Sequence, residues 1–206
     1  MKSRLVFTHG TMESAKTAQL LMDAYGLEQN GKKIMAIKPA TDDRDEDLIR
    51  SRIGLARKAD HLIVPSDNLF DLVPDDINSL FVDEVQFLGK EQIDQLRDIV
   101  YYKDINVFTY GLKTNFKTEF FEGSRRLFEL TPETPEREFF CQCGQRAMVN
   151  ARFKNGVIEI DGPEVVIEKK GSIYSYRPLC MECYLRYVDE KFKLENGRSR
   201  ILLNNN

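Results

Sequence analysis

Short apolar runs alternate with amphipathic stretches through the first two thirds of the chain. The runs predict buried strands within residues 4–10, 33–39, 61–65, 79–87 and 105–111. Apolar residues at helical spacing predict a helix from about Lys16 to Gln29, where Asn30–Gly31 marks a stop, and another at residues 90–100. Strands that alternate with helices predict an α/β fold, in which a mostly parallel sheet is flanked by helices.

Three polar segments follow predicted strands directly. They are Gly10–Thr17, Asp83–Gln86 and the residues from Gly111 onward. Ligands of parallel sheets bind beyond the carboxyl ends of the strands. We therefore expect these segments to meet in one ligand site.

The pattern changes at Thr131–Glu138, a proline-rich, charged segment that favours a linker. Beyond it, apolar runs predict short strands within residues 147–153 and 164–168, and Asn155–Gly156 is typical of a hairpin turn. A last helix is predicted from about Glu182 to Leu194. We expect a nucleotide-binding domain, a small β-rich domain and a flexible tail, at residues 1–135, 136–195 and 196–206.

Composition and charge narrow the choice of partners. Of the 206 residues, 42% are hydrophobic and 31% are charged, and the net charge is -3. This composition is typical of a globular protein without the basic surface that binds nucleic-acid polymers. No apolar run approaches the ~20 residues of a membrane helix, and the N-terminal run is too short for a signal peptide. We expect a cytoplasmic protein without a membrane or nucleic-acid partner.

The segment HGTMESAKT, residues 9–17, nearly matches the phosphate-binding motif G-x-x-x-x-G-K-[ST], with Ala15 in place of the second glycine. Amides of Met12–Thr17 would hold a triphosphate, with Lys16 on its β and γ phosphates and the Thr17 hydroxyl on Mg²⁺. The alternative is a turn that only opens a helix. Ala15 would be strained at positive φ and tolerated at helical φ. Because the helix is predicted to begin at Lys16, we expect helical φ at Ala15.

Two acidic residues, Asp83 and Glu84, follow a buried strand. Asp83 has the position of a Mg²⁺-binding acid, and Glu84, on the opposite side, suits a general base toward a hydroxyl. The alternative is a helix cap or a solvated acidic turn. In residues 40–55, Arg44 or Arg52 could neutralise a moving phosphoryl group, although the many charges there also suit a solvated, mobile loop.

The cysteines form two close pairs, Cys141-x-Cys143 and Cys180-x-x-Cys183. In a reducing compartment such pairs favour a tetrahedral zinc site over disulfides. C-x-C is tighter than the usual spacing, and Gly144 allows a sharp turn behind it; the alternative is four buried thiols. No neighbouring histidine indicates a catalytic metal. We expect structural Zn²⁺ that supports a domain of roughly 65 residues, which could barely form a core alone.

These segments together resemble the P-loop thymidine kinases whose second domain is a zinc-bound lasso, especially the bacterial and phage branch. The resemblance runs in order from residue 4 to about residue 190. Its motifs are GTMESAKT, DDR, SRIGL, VDEVQF, YGLKTNF, FEGS, CQCG and CMEC. It implies transfer of the γ-phosphate of ATP, with Mg²⁺, to the 5′-hydroxyl of thymidine or deoxyuridine.

The resemblance also implies a role for each matched residue. Glu84 is the general base, and Lys16 and Arg44 act on the transferred phosphate. ATP and its metal are implied to bind at Gly10, Thr11, Met12, Glu13, Ser14, Ala15, Lys16, Thr17, Asp83 and Gln86. The nucleoside is implied to contact Met12, Phe87, Leu112, Phe116, Phe121, Val166, Ile167 and Tyr176. The phenylalanines would equally suit an ordinary core, and homotetramers inhibited by an end-product triphosphate are implied by resemblance alone.

Two departures from the family pattern bear on the substrate and the rate. Glu168–Lys169 stand where the lasso loop usually has a Gly-Gly-like step, and Ala15 stands in the P-loop. They leave open a kinase for a C5-modified pyrimidine nucleoside, or a catalytically weakened or inactive relative that binds a nucleotide or a partner. A zinc-ribbon nucleic-acid binder is disfavoured, because the cysteine region lacks a dense stripe of lysine and arginine interleaved with aromatic residues.

Overall fold

A six-stranded sheet forms the centre of the protein in the computed structural model, which describes residues 2–167 and 171–197. Its strands are β1 (Leu5–Gly10), β2 (Ile34–Pro39), β5 (His61–Ile63), β6 (Ser79–Val82), β7 (Asn106–Gly111) and β8 (Glu136–Arg137). They lie in the order β5-β2-β6-β7-β1-β8, and every pairing is parallel. A separate antiparallel hairpin joins β3 (Leu48–Arg50) to β4 (Ala56–Lys58). The parallel sheet predicted from the apolar runs is confirmed.

Helices cover both faces of this sheet. They are α1 (Lys16–Gln29), α2 (Leu69–Leu72), α3 (Lys90–Tyr102) and α4 (Glu122–Leu130). In the central strand β6, Leu80 and Val82 pack with α2, α3 and α4, whereas Phe81 packs with α1. Successive strand residues face opposite sides, so the apolar run from Leu80 to Val82 is buried on both faces.

The segment predicted as a linker takes part in the sheet. The amides of Phe7 and His9 donate to the carbonyls of Glu133 and Pro135, and β8 then pairs with the end of β1. Gly10 is needed there, because an added Cβ would lie 2.4 Å from the carbonyl oxygen of Arg137. The chain therefore reaches its second unit along an ordered sheet edge.

The second unit is a three-stranded antiparallel sheet and one helix. Its elements are β9 (Val149–Lys154), β10 (Val157–Glu159), β11 (Tyr174–Leu179) and α5 (Met181–Asn196), and the strand order is β10-β9-β11. The predicted hairpin at Asn155–Gly156 is confirmed, with φ of 48° and 82° at its two residues. The predicted strand at residues 164–168 is wrong over 164–167, where the chain forms a loop beside the ligand cavity.

Some sequence predictions lie outside the described residues. These are the Glu168–Lys169 departure and residues 198–206 of the predicted tail. The last helix, α5, extends to Asn196 and is capped by Gly197. Within the part of the chain that the structure describes, no helix combines the length and apolar character needed to cross a membrane. The proposed domain boundaries stay a prediction.

Candidate active site

A cavity of about 540 Å³ opens beyond the carboxyl ends of β1, β6 and β7. Its walls come from the three polar segments that follow these strands, together with the β3–β4 hairpin and the loop at residues 164–167. The volume is within the range of small-molecule sites. The three segments thus meet as expected from their places at strand ends.

The loop between β1 and α1 wraps around the Lys16 ammonium. Lys16 Nζ donates to the carbonyl oxygen of Thr11 at 2.7 Å and to Ser14 Oγ at 3.3 Å. Burial lowers the pKa of Lys16 to about 8, while the charges of Glu84 and Asp83 oppose that shift. Lys16 therefore remains mainly charged at neutral pH at the floor of the cavity.

Ala15 does not have the helical φ expected from the sequence. Its φ of 59° and ψ of 28° place it in the left-handed region, immediately before the first residue of α1. The loop folds back around Lys16 and uses positive φ at Glu13 as well. A side chain with a Cβ costs roughly 1–2 kcal/mol in this conformation. Ala15 is therefore a strained residue of the loop.

Replacing Ala15 with glycine is expected to stabilise the protein, because glycine adopts left-handed φ without the steric cost. The relieved strain, roughly 1–2 kcal/mol, exceeds the cost of the more flexible unfolded chain, about 0.4–1 kcal/mol. Thermal unfolding should show a rise in Tm of up to about 6 °C. Ala24→Gly, at a buried helical position of α1, is the matched control and should lower Tm. An unchanged Tm in Ala15→Gly would argue against the strain.

The Met12 amide is engaged by the second unit. It donates to Asn150 Oδ1 at 2.7 Å, and Asn150 Nδ2 donates to the carbonyl oxygen of Thr114 at 3.0 Å. Of the loop amides predicted to hold a triphosphate, that of Met12 is therefore already bonded within the protein. Asn150 was missed by the sequence reasoning.

Asp83 and Thr17 lie together at the end of β6 and the start of α1. Thr17 Oγ1 donates to Asp83 Oδ1 at 3.4 Å, and both residues line the cavity. Burial, and next the charge of Glu84, raise the pKa of Asp83 to about 7. A hydroxyl beside a buried carboxylate is an oxygen donor set that suits Mg²⁺, and the cation would compensate the buried charge.

Glu84 is held by Arg44 and Gln86. Its Oε1 forms an ion pair with Arg44 Nη2, and its Oε2 accepts from Gln86 Nε2 at 2.6 Å. Arg44 is oriented in turn by Asp42, whose Oδ1 accepts from Arg44 Nε at 2.6 Å. Burial opposes ionisation, but Arg44, Gln86 and Lys16 outweigh it and lower the pKa of Glu84. The carboxylate is therefore ionised at neutral pH, as a general base must be.

The two arginines considered from sequence have different partners. Arg44 contacts Glu84, whereas Arg52 Nη1 donates to Glu13 Oε1 at 2.6 Å, on the loop before α1. Both side chains line the cavity. The geometry favours Arg44 as the arginine nearest to the candidate base.

Aromatic and apolar side chains also line the cavity. The rings of Phe87 and Phe121 meet edge to face with centroids 6.0 Å apart. Tyr176 donates its hydroxyl hydrogen to the carbonyl oxygen of Val166 at 2.8 Å, which ties β11 to the loop above the cavity. Every residue predicted for the nucleoside lines the cavity, namely Met12, Phe87, Leu112, Phe116, Phe121, Val166, Ile167 and Tyr176.

The residues predicted for the triphosphate divide into two groups. Those on the cavity wall are Met12, Glu13, Ala15, Lys16, Thr17, Asp83 and Gln86. Gly10, Thr11 and Ser14 are buried behind it. They shape the loop through the β8 contact and the bonds to Lys16, rather than face the ligand space.

The four cysteines lie together as predicted. The Sγ atoms of Cys141, Cys143, Cys180 and Cys183 are all within 4.8 Å of one another. Tetrahedral zinc with Zn–S bonds of ~2.3 Å separates its sulfurs by roughly 3.8 Å, and Cys143 and Cys180 are 3.5 Å apart. Gly144, with φ of 87°, makes the turn behind the C-x-C pair. The cluster therefore has the composition and spacing to hold Zn²⁺.

Comparisons with known proteins match the chain to one family. The thymidine kinase family model matches residues 3–184. The thymidine kinase of Enterobacteria phage T4 is 35% identical over 170 residues, 79% of this chain and 88% of its own. That of Encephalitozoon cuniculi is 32% identical and covers 96% and 94%, and that of Lactiplantibacillus plantarum is 34% identical and covers 88% and 95%. The chain therefore belongs to the thymidine kinase family.

Proposed function

We propose that this protein transfers the γ-phosphate of ATP to the 5′-hydroxyl of thymidine. The observation that carries the proposal is a single cavity whose wall combines Lys16, Thr17, Asp83 and Glu84 with aromatic side chains. This arrangement suits a triphosphate and a flat nucleoside, and membership in the family supports thymidine as the acceptor.

The polar residues of the cavity wall would bind the triphosphate. Lys16 exchanges its bonds to the loop for the β and γ phosphates, and the amides from Glu13 to Thr17 surround them. Thr17 and Asp83 would hold Mg²⁺, which would neutralise charge along the bound triphosphate. Arg44, beside the base, turns toward the transferred phosphoryl group and stabilises its charge.

Glu84 would act on the acceptor. When Arg44 moves to the phosphate, the Glu84 carboxylate loses its strongest partner and becomes free to accept the proton of the 5′-hydroxyl. Gln86 keeps the carboxylate in place, because its amide donates to Glu84 and its Oε1 accepts from the Leu112 amide. Release of the base is thus coupled to arrival of the phosphate.

The nucleoside specificity can be tested with a panel of acceptors. Purified protein, ATP and Mg²⁺ are incubated with thymidine, deoxyuridine, 5-hydroxymethyldeoxyuridine, deoxycytidine and 5′-deoxythymidine, and release of ADP is followed. Thymidine should give the highest kcat/KM, and 5′-deoxythymidine should give no release above background. A higher kcat/KM for the C5-modified nucleoside would change the assigned substrate, and release independent of any nucleoside would refute the function.

A catalytically weakened relative is the second candidate, and the strained Ala15 favours it. It predicts binding of ATP and thymidine without transfer. Ala15→Gly separates the two candidates: if transfer appears only in this variant, the natural chain is an inactive binder. A comparable kcat in the natural chain and in Ala15→Gly would support the kinase and exclude the inactive binder.

The assembly and cellular location follow from the family. We propose a cytoplasmic homotetramer whose partner is the small nucleoside rather than a nucleic-acid polymer. Light scattering coupled to gel filtration should then give about four times the 23.9 kDa of one chain. A mass of one chain at micromolar concentration would exclude the tetramer.

A further inference from the structure

Strand β9 has two buried faces with different chemistry. Val149, Ala151 and Phe153 belong to the core that also contains three of the four zinc-site cysteines, Cys141, Cys180 and Cys183. Alternate residues of a strand face opposite sides, so Asn150 and Arg152 share the other face. Their exposed fractions are 3% and 0%. Polar side chains are rarely buried so completely unless they are bonded.

Asn150 connects two segments that line the cavity. Its Oδ1 accepts from the amide of Met12, in the loop before α1, at 2.7 Å. Its Nδ2 donates at 3.0 Å to the carbonyl oxygen of Thr114, two residues before Phe116. One side-chain amide thus fixes the triphosphate loop relative to the nucleoside wall.

Arg152 holds the loop that leads to the cavity residues Val166 and Ile167, here called the nucleoside-covering loop. Its Nη1 donates to the carbonyl oxygen of Pro163 at 2.7 Å, and its Nε donates to Glu159 Oε2 at 2.6 Å. The guanidinium carbon lies 3.5 Å from the centroid of the Phe116 ring. At Gly162, with φ of 119°, an added Cβ would lie 2.9 Å from Arg152 Nη2. The loop is therefore shaped closely around the guanidinium.

The same strand is tied to the zinc site. Val149 pairs with Leu179 in β11, and the amide of Met148 donates to the carbonyl oxygen of Leu179 at 2.8 Å. Leu179 directly precedes Cys180. A continuous series of contacts thus leads from the zinc-site cysteines through β9 to the segments that line the cavity.

We propose that Asn150 and Arg152 are positioning residues, through which the zinc-bearing unit sets the geometry of the triphosphate loop and of the nucleoside-covering loop. The proposal rests on the function proposed above. It assigns no chemical step to either residue, because both act through the groups that they hold. It predicts that the two residues affect the two ligands unequally.

Binding measurements on folded variants test this assignment. Dissociation constants for a non-hydrolysable ATP analogue with Mg²⁺, and separately for thymidine, are measured by calorimetry for Asn150→Ala, Asn150→Asp and Arg152→Lys. Arg177→Lys is the matched control: Arg177 lies over Phe153, which does not line the cavity, whereas Arg152 lies over Phe116, which does. Zinc content and Tm are recorded for every variant.

Asn150→Ala removes the bonds to both the Met12 amide and the Thr114 carbonyl, so it should weaken binding of the ATP analogue by roughly tenfold and weaken binding of thymidine as well. Asn150→Asp retains the acceptor for Met12 but places a carboxylate against the Thr114 carbonyl. It should therefore leave the affinity for the ATP analogue unchanged and weaken the binding of thymidine. Arg152→Lys, which keeps the charge but loses the forked contacts, should weaken thymidine by roughly tenfold. Its affinity for the analogue should stay within about twofold, and Arg177→Lys should change neither ligand.

Two results would overturn the inference. The first is unchanged affinity for both ligands in all three variants. The second is equal loss of both ligands in proportion to a fall in Tm or zinc, which is what a purely structural role produces. If Arg152→Lys does not fold, Glu159→Gln loosens the same guanidinium and must give the thymidine-selective loss. Failure of wild type to bind either ligand would instead refute the proposed function.

Discussion

Replacing Glu84 with glutamine is expected to lower kcat for thymidine phosphorylation by about 10²–10⁴-fold. Glutamine has nearly the same shape, but it carries no charge and cannot accept the proton of the 5′-hydroxyl. The dissociation constants of ATP and thymidine should change little by comparison, because neither the triphosphate loop nor the aromatic side chains of the cavity are altered. Steady-state kinetics with ligand-binding measurements separate the two effects.

Glu13→Gln provides a matched control for this variant. Glu13 is also a carboxylate on the wall of the cavity and is also paired with an arginine, Arg52. Its partner is Arg52 and not Arg44, so kcat should remain within a few fold of wild type. Turnover by Glu84→Gln equal to that of the control would remove Glu84 from the role of base.

Replacing Cys180 with serine is expected to abolish zinc binding and to unfold the second unit. A structural Zn²⁺ contributes apparent free energies of about 10–16 kcal/mol in small zinc domains at neutral pH, and the apolar core around the cysteines is small. Because β9 holds the triphosphate loop through Asn150, thymidine phosphorylation should fall below detection as well. Elemental analysis, circular dichroism and kinetics report the three effects.

Gln142→Ser is the control for the zinc-site variant. Gln142 is exposed between the two cysteines of the C-x-C pair, so its replacement should retain zinc and wild-type Tm. The zinc site would be contradicted by wild-type protein without bound metal after purification from zinc-containing medium. It would equally be contradicted by Cys180→Ser with unchanged Tm.

The elements with strong apolar patterns could be predicted from sequence. The strands β1, β2, β6 and β7 are buried on both faces, and a run of apolar residues indicates that state directly. Several elements were not anticipated, among them the β3–β4 hairpin and α4. Each strand of the hairpin has three residues among many charges, and α4 has nine residues that follow a loop without a clear start signal. Short elements are stabilised by tertiary contacts more than by their own pattern.

The motifs of the candidate site could be predicted from sequence, but the backbone conformation and the contacts that position them could not. The spacing of Lys16, Thr17, Asp83 and the cysteines indicates the chemistry because each motif is local. The φ of Ala15 depends on how the loop closes around the lysine, which local propensity does not specify. Asn150 and Arg152 occupy alternate positions of a predicted strand, a visible signal of one polar face, but their partners come from distant segments.

A structure of the protein with thymidine, Mg²⁺ and a non-hydrolysable ATP analogue tests the central claim most directly. We expect Lys16 Nζ on the β and γ phosphates, Arg44 turned from Glu84 to the γ phosphate, and the Glu84 carboxylate at roughly 2.6–3.2 Å from the 5′-oxygen. The contrary result is a triphosphate excluded by the Ala15 methyl group, or a thymidine whose 5′-oxygen lies beyond reach of Glu84 while Arg44 remains paired with it.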